Sequence, residues 1–483
     1  MTSRHKPNHD TASSDIATLI NDNIRLGGIS YRAPGELRLY DRQLKNHPEE
    51  QIVGLMASMR TFGCVSPVLI DEHDIVIDGE ALVISARRLA MREMPTIRID
   101  HLDPNEVRLL RLALKKLGIK WSWNDPELAI ELGELLVLDL DISLDVTGFS
   151  FVEIDNLISS PEASGELEAT SPPEPIEPGP AIAQLGDLWV LGQHKLLCGS
   201  SLERSSFERL MGSEQAQMVM TDAPYNVKIA GNVSGLGKAV HREFLQASGE
   251  QSDSEFEGFL AESMGAHGEF CCDGALLYMF MDWRHGGEMY RGIEANDFEL
   301  KNVAVWVKPN GGMGSLYRSR HELVFIAKKG TALHRNCVEL GKHGRYRTNC
   351  WEYPGMNSFG AGRDELLAMH PTVKNLDMIA DAIRDVTYRG EIVLDGFAGS
   401  GTTLMAAEKT GRVGRCIELD PLYVDCIIRR WEKATGEKAR LGHSGGTTFE
   451  DIAETRASDS TAGADEPYAR PEISARPRQR RAA

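Results

Sequence analysis

Cysteine is scarce in this chain. Eight cysteines in 483 residues stand scattered at positions 64, 198, 271, 272, 337, 350, 416 and 426, with no Cys-x-x-Cys pair. That spacing argues against a structural zinc site, and no metal is expected. Long hydrophobic runs are missing as well. No window reaches the roughly 18 apolar residues that a membrane span requires. The start, Met1-Thr2-Ser3-Arg4-His5, lacks the apolar core of a signal peptide. Together these absences lead us to expect a cytoplasmic protein without membrane contact, its thiols reduced. Positive charge is short too: 53 Lys and Arg face 71 Asp and Glu, a net charge of −18. Such a sum argues against a polyanionic partner. The distribution argues the other way, because residues 301–350 hold ten Lys/Arg and two Glu. Screening confines charge effects to about 8–10 Å, so a basic cleft is compatible with an acidic protein. On composition alone, a solvated basic face and a nucleic-acid cleft stand level.

The length allows two or three domains. Residues 1–28 are polar, without hydrophobic period, and read as a disordered tail. From 29 to 102 the pattern is compact α/β. Apolar residues at 52, 53, 55, 56 and 59 have helical spacing. Pro67-Val68-Leu69-Ile70 and Ile75-Val76-Ile77 read as strands around a turn, Gly79 opens a helix to Ala90, and Pro95 to Ile99 is a last strand. Ser58-Met59-Arg60-Thr61-Phe62-Gly63, Pro67-Val68-Leu69 and Val76-Ile77-Asp78-Gly79-Glu80 resemble the N-terminal domain of ParB and its sulfiredoxin relatives. That family follows its Gly-Glu/His with paired arginines, whereas Ala81-Leu82 stand here. Arginine forks grip phosphate bidentately. The resemblance therefore implies the fold but not nucleotide hydrolysis.

Residues 103–158 read as a helical connector: a helix capped by Asp103 or Asn105 towards Leu117, another from Pro126 to Leu138, and a third from Phe151 to Ile158. Helix-turn-helix contact with DNA is the competing reading. Residues 159–182 are a linker, since Ser159 to Pro180 holds six prolines and five glutamates without Lys or Arg. The alternation around Gly192-Gln193-His194 signals a hairpin that begins a second folded region, 183–440. Residues 441–483 read as a disordered tail with a basic end.

Two constellations in that region carry chemistry. In Glu391-Ile392-Val393-Leu394-Asp395-Gly396-Phe397-Ala398-Gly399-Ser400-Gly401-Thr402-Thr403, an apolar strand ends at an acid and a glycine-rich turn opens a helix. Ligands of doubly wound sheets bind at such strand ends. No Gly-Lys-Ser/Thr closes the loop, which excludes a P-loop, and the G-x-G-x-x-G spacing is absent. About twenty residues on, a second strand ends at Glu418, where a carboxylate can accept from both hydroxyls of a ribose. The other constellation is Met220-Thr221-Asp222-Ala223-Pro224-Tyr225, again an acid at a strand end, followed by Pro and an aromatic ring.

The pair resembles the amino-methyltransferases of DNA, which join an Asp-Pro-Pro-Tyr catalytic motif to a Phe-x-Gly-x-Gly motif for S-adenosylmethionine (SAM). The order, catalytic motif first, resembles their β group. His370-Pro371-Thr372-Val373-Lys374 resembles the element that completes the cofactor pocket, with Asn375 in place of its final Pro. Trp306-Val307-Lys308-Pro309 and Ser319-Arg320-His321-Glu322-Leu323 resemble further strands, and the likeness spans about 186–435.

The resemblance implies a Rossmann-like α/β domain with a mixed doubly wound sheet. Asp222, Ala223, Pro224 and Tyr225 would be catalytic. Asp395, Phe397, Ala398, Gly399, Gly401, Thr402, Thr403, Glu418, His370, Thr372 and Lys374 would bind SAM. The substrate would be double-stranded DNA, recognised by residues 329–368 through Arg335, Lys342, Arg345 and Arg347. Ala223 departs from the motif, but the acceptor needed there is a backbone carbonyl, which Ala keeps. Asp at 222 points to N6 of adenine. Cytosine N4 is the alternative, and a ParB-like DNA-binding protein with an inactive methylase domain is the reading from another class. The Pro-Cys nucleophile of C5 enzymes is absent, since no cysteine follows a proline. The glycine-bearing stretch from Asn226 to Glu250 would close over a flipped base. Asp282, in Met281-Asp282-Trp283-Arg284-His285, would face the pocket or cap a turn. Monomer and homodimer stay open.

Overall fold

The structure, a computed structural model, describes residues 28–42, 46–117, 123–137, 144–159, 179–226, 249–309, 311, 316–338, 340, 347–355, 373–443 and 445–462. The expected N-terminal tail up to residue 27, residues 160–178 of the linker, residues 227–248 of the loop expected to close over a base, and His370, Thr372, Lys342 and Arg345 lie outside these residues. The tail expected from residue 441 is corrected: Leu441 pairs with Trp189 in the sheet, and Phe449–Ala462 is a helix anchored by the buried Phe449 ring against Trp189, centroids 5.3 Å apart. Two compact units divide the chain, Met1–Ser164 and Gly165–Ala483.

The first unit runs β1 (Ile29–Arg32), α1 (Glu49–Phe62), β2 (Val68–Ile70), β3 (Val76–Asp78), α2 (Glu80–Arg88), β4 (Met94–Arg98), α3 (Pro104–Leu117), α4 (Asp125–Val137) and α5 (Phe151–Ile158). Its four strands are ordered β1-β4-β2-β3. Val68, Ile70, Val76, Val83, Ala86 and Met94 form the core with Leu37 and Met59. Asp103 is the cap of α3, its carboxylate accepting from the amides of Asn105 at 2.7 Å and Glu106 at 3.0 Å. Ser150 and Glu153 cap each other reciprocally at the start of α5. Glu80, the residue before the missing arginines, is buried and paired with Lys115 of α3 at 2.7 Å. Its carboxylate therefore ties α3 to the sheet domain.

The second unit holds β5 (Leu188–Leu191), β6 (His194–Cys198), α6 (Arg204–Met211), β7 (Ala216–Thr221), α7 (Asp253–Glu269), β8 (Cys271–Met281), α8 (Gly286–Ala295), β9 (Glu299–Val307), β10 (His321–Lys328) and β11 (Cys350–Glu352). It continues with α9 (Leu376–Val386), β12 (Ile392–Asp395), α10 (Thr402–Thr410), β13 (Val413–Glu418), α11 (Pro421–Thr435), β14 (Arg440–Leu441) and α12 (Phe449–Ala462). Ten strands form one mixed sheet, β11-β9-β10-β8-β7-β12-β13-β6-β5-β14. Its centre, β8-β7-β12-β13-β6, is parallel. Among them β7, β8 and β12 are largely apolar because both faces are covered: Phe207, Phe256 and Leu260 pack with one face, Met378, Ile379 and Ile383 with the other.

The chain leaves β7 towards β8 and leaves β12 towards β13, in opposite directions across the sheet. The gap between β7 and β12 is thus a topological switch point, where the C-terminal ends open a crevice. Asp222 and Asp395 stand at those two ends.

Candidate active site

Thr221 donates its hydroxyl to Asp395 Oδ1 at 2.9 Å, which ties the two strand ends together. The same oxygen accepts the amide of Phe397 at 3.0 Å and fixes the first turn of the glycine loop. The next turn is held by Ala398 N donating to Ile417 O at 3.0 Å. Glu418 then takes the amide of Gly399 on Oε2 at 2.7 Å and that of Asp420 on Oε1 at 2.8 Å. Each carboxylate oxygen keeps one further lone-pair site free. Gly401 adopts φ 78°, and a Cβ there would lie 2.9 Å from Ile427. Thr402 and Thr403 begin α10, whose N-terminus faces the loop and favours a negative or hydrogen-bond-accepting group.

Burial acts strongly on both acids. It raises Asp395 to about 6, against hydrogen bonds from Thr403, Phe397 and Thr221. It raises Glu418 to about 7, helped by the charges of Asp420 and Asp395 and opposed by the two amides.

Beneath the loop lies His267 of α7, fully buried, with Nδ1 bonded to Ser263 O at 2.7 Å. Burial lowers it to about 4, so the ring is neutral. A Cβ on Gly396 would sit 2.4 Å from His267 Nε2, so only glycine lets the loop lie down on this ring. Phe397 covers the same ring, centroids 6.2 Å apart.

Asp222 sits in a cluster of alternating charge. Tyr225 Oη donates to Asp222 Oδ1 at 2.6 Å. Lys374 Nζ lies 2.7 Å from Asp222 Oδ2 and 3.0 Å from Glu322 Oε2. Lys308 pairs with the other oxygen of Glu322. Two carboxylates thus face two ammonium groups. Burial raises the Asp222 carboxyl, Lys374 pulls it back, and the Glu322 charge raises it further; the net direction is up. Burial would also raise Glu322, but its two lysines outweigh that and hold it down to about 2. Lys374 is raised because the carboxylates outweigh its own burial. Burial, then Asp222 and Glu322, push the Tyr225 phenol well up.

The sequence-predicted residues are therefore sorted as follows. Asp222 and Tyr225 share one cluster, with buried Ala223 between them, while Asp395, Phe397, Ala398, Gly399, Gly401, Thr402, Thr403 and Glu418 share the adjoining loop. Lys374 pairs with the acids at 222 and 322 rather than with the glycine loop, a different place from the one expected. Asp282 is a cap: it accepts from the amides of Arg284 at 2.9 Å and His285 at 3.2 Å.

The two described arginines expected on DNA are committed elsewhere. Arg335 bonds Glu391 Oε1 at 2.9 and 3.1 Å. Glu391 precedes β12, so this pair lies at the edge of the sheet opposite Asp222. Arg347 bonds Asp385 at 2.9 Å and Tyr353 Oη at 2.7 Å. Each guanidinium is thus paired with an acid of another element, Arg335 half exposed and Arg347 largely buried. Sequence reasoning missed Glu322, Lys308 and His267. The first two stand in strands already singled out, at the ends that antiparallel pairing of β9 and β10 brings to Asp222.

A doubly wound sheet with an acidic glycine loop beside a buried acid-and-aromatic motif is the arrangement of an α/β protein with a site for a ribose-bearing cofactor. The sequence comparisons make it more specific. Residues 216–429 match the N6/N4 DNA methylase family, and residues 126–185 match the ParB-methyltransferase helix-turn-helix domain. The latter match takes in α4 and α5, so this stretch is a helix-turn-helix domain rather than a plain connector. The chain is 25% identical over 150 residues to the Type II methyltransferase M2.MboI of Moraxella bovis, 30% of this chain and 54% of that one. It thus spans about half of that relative's length. It is 38% identical over 78 residues to the ParB-like nuclease domain-containing protein YnaK of Escherichia coli (strain K12), 16% of this chain and 90% of that one. The M1.HpyAVI–SAM complex shows 21% identity over 49% of this chain and 97% of its own, with a TM-score of 0.37. For the cytosine-N4-specific PvuII DNA methyltransferase the figures are 17%, 55%, 92% and 0.39. The chain thus carries an N6/N4 DNA methylase domain over residues 216–429 and a ParB-methyltransferase helix-turn-helix domain over residues 126–185.

Proposed function

We propose that the protein is a SAM-dependent DNA methyltransferase acting on N6 of adenine. The observation that carries this reading is the pairing of β7 with β12, which sets the Asp222 cluster against the glycine loop and Glu418. Glu418 would accept the ribose hydroxyls of SAM on the lone pairs its two amides leave free. The glycines would let the backbone approach the ligand, and the start of α10 would face its carboxylate. When bound, SAM supplies an electrophilic methyl group.

The remaining work falls to this chain's residues. An exocyclic amine is a poor nucleophile because its lone pair is delocalised into the ring. Asp222 and the Ala223 carbonyl would accept its two N–H bonds and localise that lone pair, so positioning supplies much of the rate. The amine would replace the Tyr225 hydroxyl and Lys374 on Asp222. Glu322 would then keep Lys374 paired, and the Tyr225 ring would be free to stack on the base. Asp222, raised by its burial, would take the proton that the amine gives up. The base must leave the duplex to reach this crevice.

The test is incubation of the full chain with mixed-sequence duplex DNA and methyl-labelled SAM, followed by nucleoside analysis. Label in N6-methyladenine is expected. Label in N4-methylcytosine would sink the adenine assignment, and no labelled base would favour a DNA-binding protein with an inactive methylase domain.

A further inference from the structure

Trp283 follows β8 directly, and its exposure is unusual for so large an apolar ring: 55% of it meets water. The ring is not on a loose loop. Asp282 caps the turn that carries it, through the amides of Arg284 and His285. Behind that turn His285 packs edge-on against the buried Phe256, centroids 4.9 Å apart. The backbone thus holds an aromatic face rigidly out into solvent.

Its position gives that face a purpose. β8 runs parallel to β7, with Met279 opposite Thr221. Trp283 therefore stands just past the strand end that carries Asp222, on the same edge of the sheet, and the Asp282 charge reaches the Tyr225 phenol. The Arg284 guanidinium lies over the indole, 5.1 Å from its centre, and is more than half exposed, with Nη1 paired to Asp282 at 2.9 Å. On the same edge the connection from β9 to β10 presents exposed Arg318 and Arg320. In a chain of net charge −18, a ring flanked by exposed guanidiniums at the mouth of the crevice is complementary to a polyanion with flat, stackable faces.

We propose that Trp283 is a base-stacking platform for the DNA strand that enters the active site, with the exposed Arg318 and Arg320 of the same edge for the phosphate backbone. The assignment rests on the DNA methyltransferase reading above and extends it to residues outside the catalytic motif. A tryptophan face accepts any base, so it supplies affinity rather than sequence preference.

The experiment is anisotropy titration of a fluorescein-labelled, mixed-sequence single-stranded oligonucleotide against wild type, Trp283→Ala and Trp283→Phe, with SAM affinity measured separately on each. Trp283→Ala is expected to bind the oligonucleotide about tenfold more weakly, and Trp283→Phe to recover most of that loss. SAM affinity should be unchanged in both. Equal oligonucleotide binding by wild type and Trp283→Ala would overturn the proposal. So would a changed sedimentation coefficient of free Trp283→Ala, which would assign the ring to contact with a second copy, or a loss of SAM binding, which would make the residue structural. Weakened binding by Trp283→Ala alongside a wild type that methylates no base would leave the platform standing and remove the methylation reading.

Discussion

Lowering the pH should weaken SAM binding through Glu418. Its carboxylate already accepts two amides, and the ribose hydroxyls need the lone pairs that ionisation keeps available. Burial raises this group to about 7. A raised group is protonated below that value, and the protonated form has lost one acceptor oxygen to an O–H. Affinity is therefore full above 7 and falls as pH drops through it. For a single site of that pKa, about nine tenths is ionised at pH 8 and about one tenth at pH 6, so the Kd for SAM should rise about tenfold between them. Titration calorimetry with SAM at several pH values reads this directly. Glu418→Gln is the control: it should bind weakly throughout and lose the slope. Any residual slope in that variant belongs to the ligand's own α-amino group, which titrates at about 8. Equal Kd values at pH 6 and 8 in wild type would refute the reasoning, as would a Gln variant that keeps the whole slope.

Three other perturbations follow from the same geometry. Gly396→Ala places a Cβ 2.4 Å from His267 Nε2, and overpacking of this kind costs about 1–3 kcal/mol; thermal unfolding should show the loss, and Gly396→Ala with His267→Ala should recover part of it. Glu322→Gln removes a charge that raises the Asp222 carboxyl, so the acid limb of the rate profile should move to lower pH while kcat falls. An unmoved limb would show that Glu322 does not act on Asp222. Lys115→Ala leaves the buried Glu80 carboxylate with only the more distant His47, at 3.7 Å, and breaking a buried pair costs up to about 3–5 kcal/mol; chemical denaturation of the full chain should register the loss, and Lys115→Ala with Glu80→Gln should restore much of the stability.

Strands and their ends were the most legible part of the chain. Apolar runs ending in Asp222, Asp395 and Glu418 announce parallel strands buried on both faces, because the strand period and the switch to a glycine turn are local signals. The capping of α3 and α5 was legible for the same reason, as Asp103 and Ser150 act within three residues of themselves. The partners of Asp222 were not. Glu322 and Lys374 come from segments about 100 and 150 residues away, and only the order of strands in the sheet brings them together. The partners of Arg335 and Arg347 were not legible either: each stands in a basic stretch and pairs with an acid of another element. Trp283 reads in sequence as one more apolar residue at a strand end, and only its exposure distinguishes it.

The most direct test of the account lies at Asp222. Under single-turnover conditions with methyl-labelled SAM, wild type should transfer label to adenine N6 in DNA. Asp222→Asn keeps the side-chain shape but cannot take the proton, so it should retain SAM affinity and lose transfer by about a hundredfold or more. Transfer at the wild-type rate by Asp222→Asn would contradict the central claim.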